Sequence, residues 1–308
     1  MRGYKLQLIN SSSYNKSLIR RGRIDFWMDK TIFTNWYYNG SRLRGGKQLY
    51  NDAVIELILM ISHVYHLPLR QAQGFMMNLL EGKGIDLEVP NYTTLCRRRK
   101  TLDIGKKLSH WNQKESIVFS IDASGLKCSG EKEWMRKKHK ATRVRKFIKI
   151  HTGINVDTRH IIFNKTTSSR KHDGTQFPDA IKQAGNKIKI ILADGGYDFK
   201  SSFGLTHPDV KIIIPPRSNA IVDHNTHQRN TAIKHIEEHG RARWKREIGY
   251  HQRSLVENTF SRWKTIFGEN ISAKEENSQQ VKATLKSIIL NKMTDLGMPK
   301  WNRIYLLN

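Results

Sequence analysis

Apolar residues recur with two different rhythms along this chain, and the change of rhythm divides it. Over 46–102 the rhythm is helical. The run VIELILMISHVYH follows Asn51 and Asp52, either of which can cap a helix, and it must end before Pro68. A second helix is expected from Leu69 to about Leu80, broken by Gly82 and Gly84. Pro90 and Asn91 then open a third, YTTLCRRRK. Short helix, glycine turn and a short helix ending in Arg97, Arg98, Arg99 and Lys100 predict a helix-turn-helix, with the basic run gripping DNA phosphates rather than reading bases. From about residue 112 the pattern becomes strand-like. SIVFSID is expected to end in Asp122; Lys146–Asp157 and His160–Thr166 form a hairpin; KIKIILADGGYD ends a further strand in Asp194; and VKIIIPP is a last strand stopped by prolines. Helices are expected at 174–185, 250–264 and 278–296.

These elements predict an all-α region followed by an α/β layer. The expected regions are an arm at 1–45, polar but for an aromatic cluster at Phe33, Trp36, Tyr37 and Tyr38; a helical DNA-binding domain at 46–110; and an α/β domain at 111–308. The last is interrupted by a polar insertion at about 217–247.

Charge narrows the function. Lys and Arg number 54 against 27 Asp and Glu, a net +27. Residues 1–110 hold 18 basic and 8 acidic side chains, a net +10, leaving +17 for the rest, so no basic tail accounts for the excess. Basicity spread over the whole chain implies a polyanionic partner, nucleic acid above all. Two cysteines, Cys96 and Cys128, exclude a disulfide framework and a thiolate zinc site and fit a reducing cytoplasm. SSSYNKS interrupts any apolar leader, and the most apolar run, Val54–Leu69, is too short to span a bilayer. No membrane partner is expected.

The chemistry centres on YHQRSLVENTFSRWK, residues 250–264. On one continuous α-helix, Tyr250, Arg253, Glu257 and Lys264 fall within about 60° of each other, beside an apolar stripe of Val256, Phe260, Trp263 and Phe267. A surface helix with a solvated charged face would look the same. The two strand-end aspartates change that reading, because carboxylates at strand ends sit where open α/β layers build sites. Gly195 and Gly196 allow a sharp turn and leave room for a substrate strand. Three acids from three elements repel unless a cation binds, and hard oxygen ligands favour Mg²⁺ or Mn²⁺. Two such ions about 4 Å apart serve phosphodiester chemistry. Asp157, Asp173, Asp198, Glu247 and Glu269 could replace one of the three acids on pattern alone. His235, Glu238 and His239 spell an inverted zinc-protease motif, but in a polar, cationic stretch that does not suit a zinc helix.

The ordered set SIDASGLK, LADGGYD, IIPPR and Y-x2-R-x3-E-x6-K resembles the DDE transposases of bacterial insertion sequences, and is most similar to the insertion sequence 5 family. The flanking LRQAQGFMMNLL, VPNYTTLCRRRK and LNKMTDLGMP resemble that family too, so the likeness runs from about Asp25 to Pro299. It implies an RNase H-like mixed sheet flanked by helices, and Asp122, Asp194 and Glu257 as catalytic, metal-binding acids. It implies two Mg²⁺ or Mn²⁺ ions and cleavage of double-stranded DNA that exposes 3′-hydroxyls, followed by joining to target DNA. Tyr250, Arg253 and Lys264 would contact the terminal DNA. Joining two ends implies a homodimer or larger assembly on DNA, at the nucleoid in the bacterial cytoplasm. Two other readings stay open: a catalytically silent DNA-binding protein, and an RNase H-like nuclease that cuts without joining.

Overall fold

The computed structural model describes residues 4–41, 48–112, 116–128, 147–224, 226–273 and 275–305. Positions 42–47, where the expected arm would meet the helical region, and Lys146, the expected start of a strand, lie outside the described residues. The chain divides into two units, Met1–Arg99 with Ile289–Asn308, and Lys100–Ile288.

In the first unit, the stretch expected to be an arm is folded. It holds β1 (Tyr4–Leu8), α1 (Ser11–Arg21) and two short helices, α2 (Ile24–Trp27) and α3 (Thr31–Thr34). β1 pairs antiparallel with the C-terminal strand Trp301–Tyr305. Asn10 Nδ2 donates to the Met298 carbonyl at 3.0 Å, and its Oδ1 accepts from the Lys300 N–H at 2.8 Å. Two buried tryptophans anchor the segment: the ring N–H of Trp27 donates to the Arg21 carbonyl at 2.8 Å, and that of Trp36 to the Glu88 carbonyl at 2.7 Å. A few large apolar side chains held by distant partners outweigh a polar average composition.

The helices that follow match their sequence signals. α4 (Asp52–Val64) is capped by Asn51, whose side chain accepts from the Ala53 N–H at 3.1 Å. It is buried on every side from Val54 to Ser62, which is why apolar residues occupy all its faces, with Glu56 and Ser62 the polar positions among them. α5 (Leu69–Glu81) bends away from α4 by 109°. α6 (Tyr92–Arg98) is capped by Asn91, whose side chain accepts from the Thr93 N–H at 2.9 Å. Among the described residues no single helix is long and apolar enough to cross a membrane.

The second unit is built on a six-stranded mixed sheet. Its strands are β2 (Ile117–Cys128), β3 (Phe147–Asn155), β4 (Ile161–Ser168), β5 (Ile188–Leu192), β6 (Lys211–Ile213) and β7 (Asn270–Ile271). The order is β4-β3-β2-β5-β6, with β7 beside the far end of β2. β2, β3 and β4 pair antiparallel, as the predicted hairpin requires; β5 is parallel to β2, and β6 to β5. The helices are α7 (Phe177–Ala184), α8 (Lys200–Phe203), α9 (His227–His239), α10 (Arg241–Glu247), α11 (Ser254–Phe267) and α12 (Glu276–Leu296). One sheet face packs Phe119, Ile121, Ile191 and Ala193 with α7 and Tyr197. The other packs Leu192 and Ile213 with Ala232 of α9 and Trp244 of α10. The polar stretch at 217–247 therefore contains two helices whose few apolar residues cover the sheet.

β2 corrects one expectation. It does not stop at Asp122 but runs six residues further, because β3 keeps pairing with it as far as Lys127 opposite Phe147. β5 leaves β2 after Leu192, opposite Ser120, and β7 joins it only at Lys127. Between those points no strand among the described residues pairs with that edge of β2, and Asp122 stands at the start of that gap.

Candidate active site

Register places the first two acids. Val118 pairs with Ile190 and Ser120 with Leu192 along the parallel strands. Two residues on, Asp122 and Asp194 share the sheet face that Ile190 and Leu192 occupy. Asp122 Oδ1 accepts from the Ala123 N–H at 2.8 Å. Asp194 caps the short 3₁₀ turn Gly195–Tyr197, its Oδ1 accepting from the Gly196 N–H at 2.9 Å. A Cβ at position 196 would lie 2.9 Å from that same oxygen, and one at 195 would lie 3.3 Å from the Pro215 carbonyl. The glycine pair thus makes room for the Asp194 carboxylate and for the IIPPR segment.

Glu257 arrives from the first turn of α11. The four apolar residues Val256, Phe260, Trp263 and Phe267 are all buried, as the helical stripe predicts. The helix does not begin where expected: Tyr250–Arg253 form a 3₁₀ turn after Gly249 at φ 77°, and α11 starts at Ser254. Arg253 nevertheless stays one turn from Glu257, and its Nη2 donates to Glu257 Oε1. Its Nη1 donates to Asp122 Oδ2 at 2.9 Å, across 131 positions of sequence. One guanidinium therefore links the acid of β2 to the acid of α11. Tyr250 lies beside it, with the Arg253 guanidinium 5.7 Å and the Lys245 ammonium 5.2 Å from its ring centre.

The electrostatics tie these groups into one field. Burial pushes the Asp122 carboxyl above the usual carboxylate range; the Ala123 N–H and Arg253 oppose this, and the Asp194 charge adds to it. Burial pushes the Tyr250 phenol up to about 12, offset in part by Arg253 and reinforced by Asp194, Asp122 and Glu257. Burial acts to lower Arg253, but Tyr250, Asp122 and Glu257 outweigh it and hold the guanidinium above its ordinary value.

Lys264 stands apart from this group. Glu269 ion-pairs with Lys127 at 3.0 Å, and Lys127 first and Lys264 second hold its carboxyl below the ordinary range. Four of the other acids that sequence left open have side-chain partners of their own. Asp173 pairs with Lys149 at 2.9 Å, and Asp198 with Arg229 at 2.7 Å. Glu247 pairs with Arg243 at 2.7 Å and His235 at 2.9 Å, while Asp157 follows the end of β3 and its N–H donates to Asn155 Oδ1. His235 is thereby engaged with α10, while His239 faces Glu238 of its own helix at 3.7 Å. A cavity of about 470 Å³ lies here too, lined by Ile212, His227, Ala232, His235, Trp244 and Glu247. In the basic run, Arg97 is exposed, Arg98 pairs with Asp52, and Lys100 pairs with Glu275 at 2.6 Å. The Arg99 Nε is buried. Sequence reading missed the buried Asp198–Arg229 pair. Asp198 belongs to the LADGGYD motif, but nothing local points to a partner 31 residues away.

Among the described residues, no three His, Cys, Asp or Glu side chains form a ready ligand set for one ion. The donor chemistry still suits a hard divalent cation: two carboxylates each held by a backbone N–H, and a third, half-exposed on a helix, joined to the first through Arg253.

A family model whose description is Transposase DDE domain matches residues 113–292, and a second with the same description matches residues 19–131. The first covers more than half of the chain, and the chain belongs to the DDE transposase family. It is a metal-dependent DNA transposase, a class that cuts DNA with divalent cations, and its mixed sheet flanked by helices is consistent with the RNase H-like form. No solved structure matches the chain.

Proposed function

We propose that the chain binds the terminal inverted repeats of its own element, cuts DNA to expose 3′-hydroxyls and joins them to target DNA, with Asp122, Asp194 and Glu257 as ligands of two Mg²⁺ or Mn²⁺ ions. The observation that carries this reading is the placement of Asp122 and Asp194 on one sheet face, with Arg253 joining Asp122 to Glu257. Bound divalent ions would supply an activated oxygen nucleophile and neutralise charge on the leaving oxygen. The chain's own part is positional. Backbone N–H groups of Ala123 and Gly196 hold two carboxylates in fixed orientation. Arg253 exchanges its carboxylates for a phosphate, and Lys264 holds a neighbouring phosphate along the same helix. Tyr250 keeps its proton at working pH and donates it in a hydrogen bond to a phosphate oxygen.

The helix-turn-helix is assigned to α5 and α6, with Arg97, Arg99 and Lys100 on phosphates and Arg98 steadying α6 through Asp52. Joining two ends requires a homodimer or larger assembly on DNA, acting on the nucleoid in the bacterial cytoplasm. The test is incubation of a pre-cleaved end duplex and a target duplex with Mg²⁺. Joined product is expected, and it should vanish in Asp122→Ala, Asp194→Ala and Glu257→Ala while DNA affinity stays near that of the wild type. Cutting without joining would instead mark a nuclease, and binding alone a silent DNA-binding protein.

A further inference from the structure

Arg253 stands where a metal ion shared by two of the acids would have to stand. Its Nη1 donates to Asp122 Oδ2 at 2.9 Å, and its Nη2 donates to Glu257 Oε1. The Ala123 N–H donates to the other Asp122 oxygen at 2.8 Å, so both oxygens of that carboxylate are engaged. The contact is sheltered: the Arg253 side chain is 18% exposed and that of Asp122 16%. A guanidinium carries its charge at every working pH and spreads its N–H donors in a fixed fork. Held between two acids, it supplies the positive charge they would otherwise draw from a bound cation. Nor are the acids gathered in advance, since no three of them among the described residues form a ready ligand set. Two positive groups share such a place only at high cost, because charges a few ångströms apart in a poorly solvated site repel strongly. A DNA phosphate, by contrast, offers the same fork a bidentate, charged partner.

We infer that Arg253 is a latch that makes metal binding and DNA binding cooperative. Without DNA, Arg253 stands in for a divalent cation between Asp122 and Glu257 and keeps ions out. A DNA phosphate draws the guanidinium away and leaves both carboxylates to bind metal. Each ligand then favours the arrangement that admits the other, and coupling of this kind typically changes affinity by about 5- to 150-fold. The inference rests on the reading of Asp122, Asp194 and Glu257 as metal ligands and goes beyond it, since that reading alone sets no restraint on metal binding without DNA.

The experiment titrates the full chain with Mn²⁺, read by electron paramagnetic resonance of the free ion, with and without a saturating pre-cleaved end duplex. Binding to the duplex alone is subtracted. Without DNA, Arg253→Gln should bind Mn²⁺ about 5- to 150-fold more tightly than the wild type. Lys245→Gln, which removes a cation beside the same Tyr250 ring, should keep the wild-type affinity. Duplex should tighten Mn²⁺ binding by the wild type, and by Arg253→Gln much less. Wild-type affinity in DNA-free Arg253→Gln would overturn the latch, and so would an equal gain in both variants, which would assign the effect to overall charge. A duplex effect that is absent in the wild type, or undiminished in Arg253→Gln, would overturn it too. Thermal unfolding in EDTA checks that Arg253→Gln folds. If it does not, Arg253→Lys replaces it, because one ammonium lacks the fork that holds two carboxylates, and the same directions of change are expected. Asp122→Asn and Asp194→Asn are titrated with duplex. Mn²⁺ binding that survives both would remove the ligand reading itself, a failure separate from that of the latch.

Discussion

Arg253 is the residue at which the separate parts of the site meet. Its two ends reach carboxylates from a strand and a helix, and it lies against a tyrosine from its own turn. A residue on the sheet's other face makes a different kind of prediction. His151 on β3 is fully buried, with Nε2 2.8 Å from Thr167 Oγ1. Burial, opposed by Asp173 and aided by Lys149, lowers its pKa to about 4. The folded chain therefore keeps His151 neutral where the unfolded chain would bind a proton. A depressed folded pKa means that stability is present above about pH 6.5 and is lost as pH falls toward 4, by roughly 3 kcal/mol across that window. Unfolding temperature measured against pH should show this slope, and His151→Gln should flatten it. A His151→Gln curve that overlays the wild type would assign the slope to other groups.

At the scale of elements, local signals and long-range packing divide the credit. The Asn51 cap is local, and Asn51→Ala should cost about 1 kcal/mol in urea unfolding, whereas Gly74→Ala should gain up to about 1 kcal/mol. Gly74 sits inside α5 with open space where a Cβ would go, so only helix propensity changes there. Opposite signs from the two variants are expected; a loss in both would show that α5 packs more tightly than its exposed face implies. The boundaries of α4, α5, α6 and α12 were legible because caps, glycines and prolines act within a turn of the residues they stop. The apolar stripe of α11 was legible for the same reason, though its backing was not. Lys286 of α12 lies over the rings of Trp263 and Phe267 at 5.8 and 5.4 Å, and burial lowers its pKa to about 8. The 3₁₀ turn at Tyr250–Arg253 was not legible, since 3.0 and 3.6 residues per turn give nearly the same pattern over four positions.

For the whole molecule, charge is the property that composition states most directly. A net +27 spread along the chain should make DNA binding fall steeply with salt. Neutralising six to ten phosphates would weaken affinity by roughly 10³- to 10⁵-fold between 50 and 200 mM salt. A flat response in a filter-binding or anisotropy titration would separate the charge from the DNA. The sequence by itself determined the order of the central helices and strands, the helix caps, the alternation that makes strands, and the candidate acids in their order. Each of these depends on neighbours within a few residues. Tertiary structure decided the rest. It carried β2 past Asp122 by pairing it with β3, set Asp122 and Asp194 on one face through strand register, and brought Arg253 to an acid 131 positions away. It also buried Trp36 with its ring N–H on the Glu88 carbonyl, a partner that its own polar stretch does not reveal. Pairing and burial between distant segments depend on which surfaces meet, and periodicity along one segment carries no record of its partner.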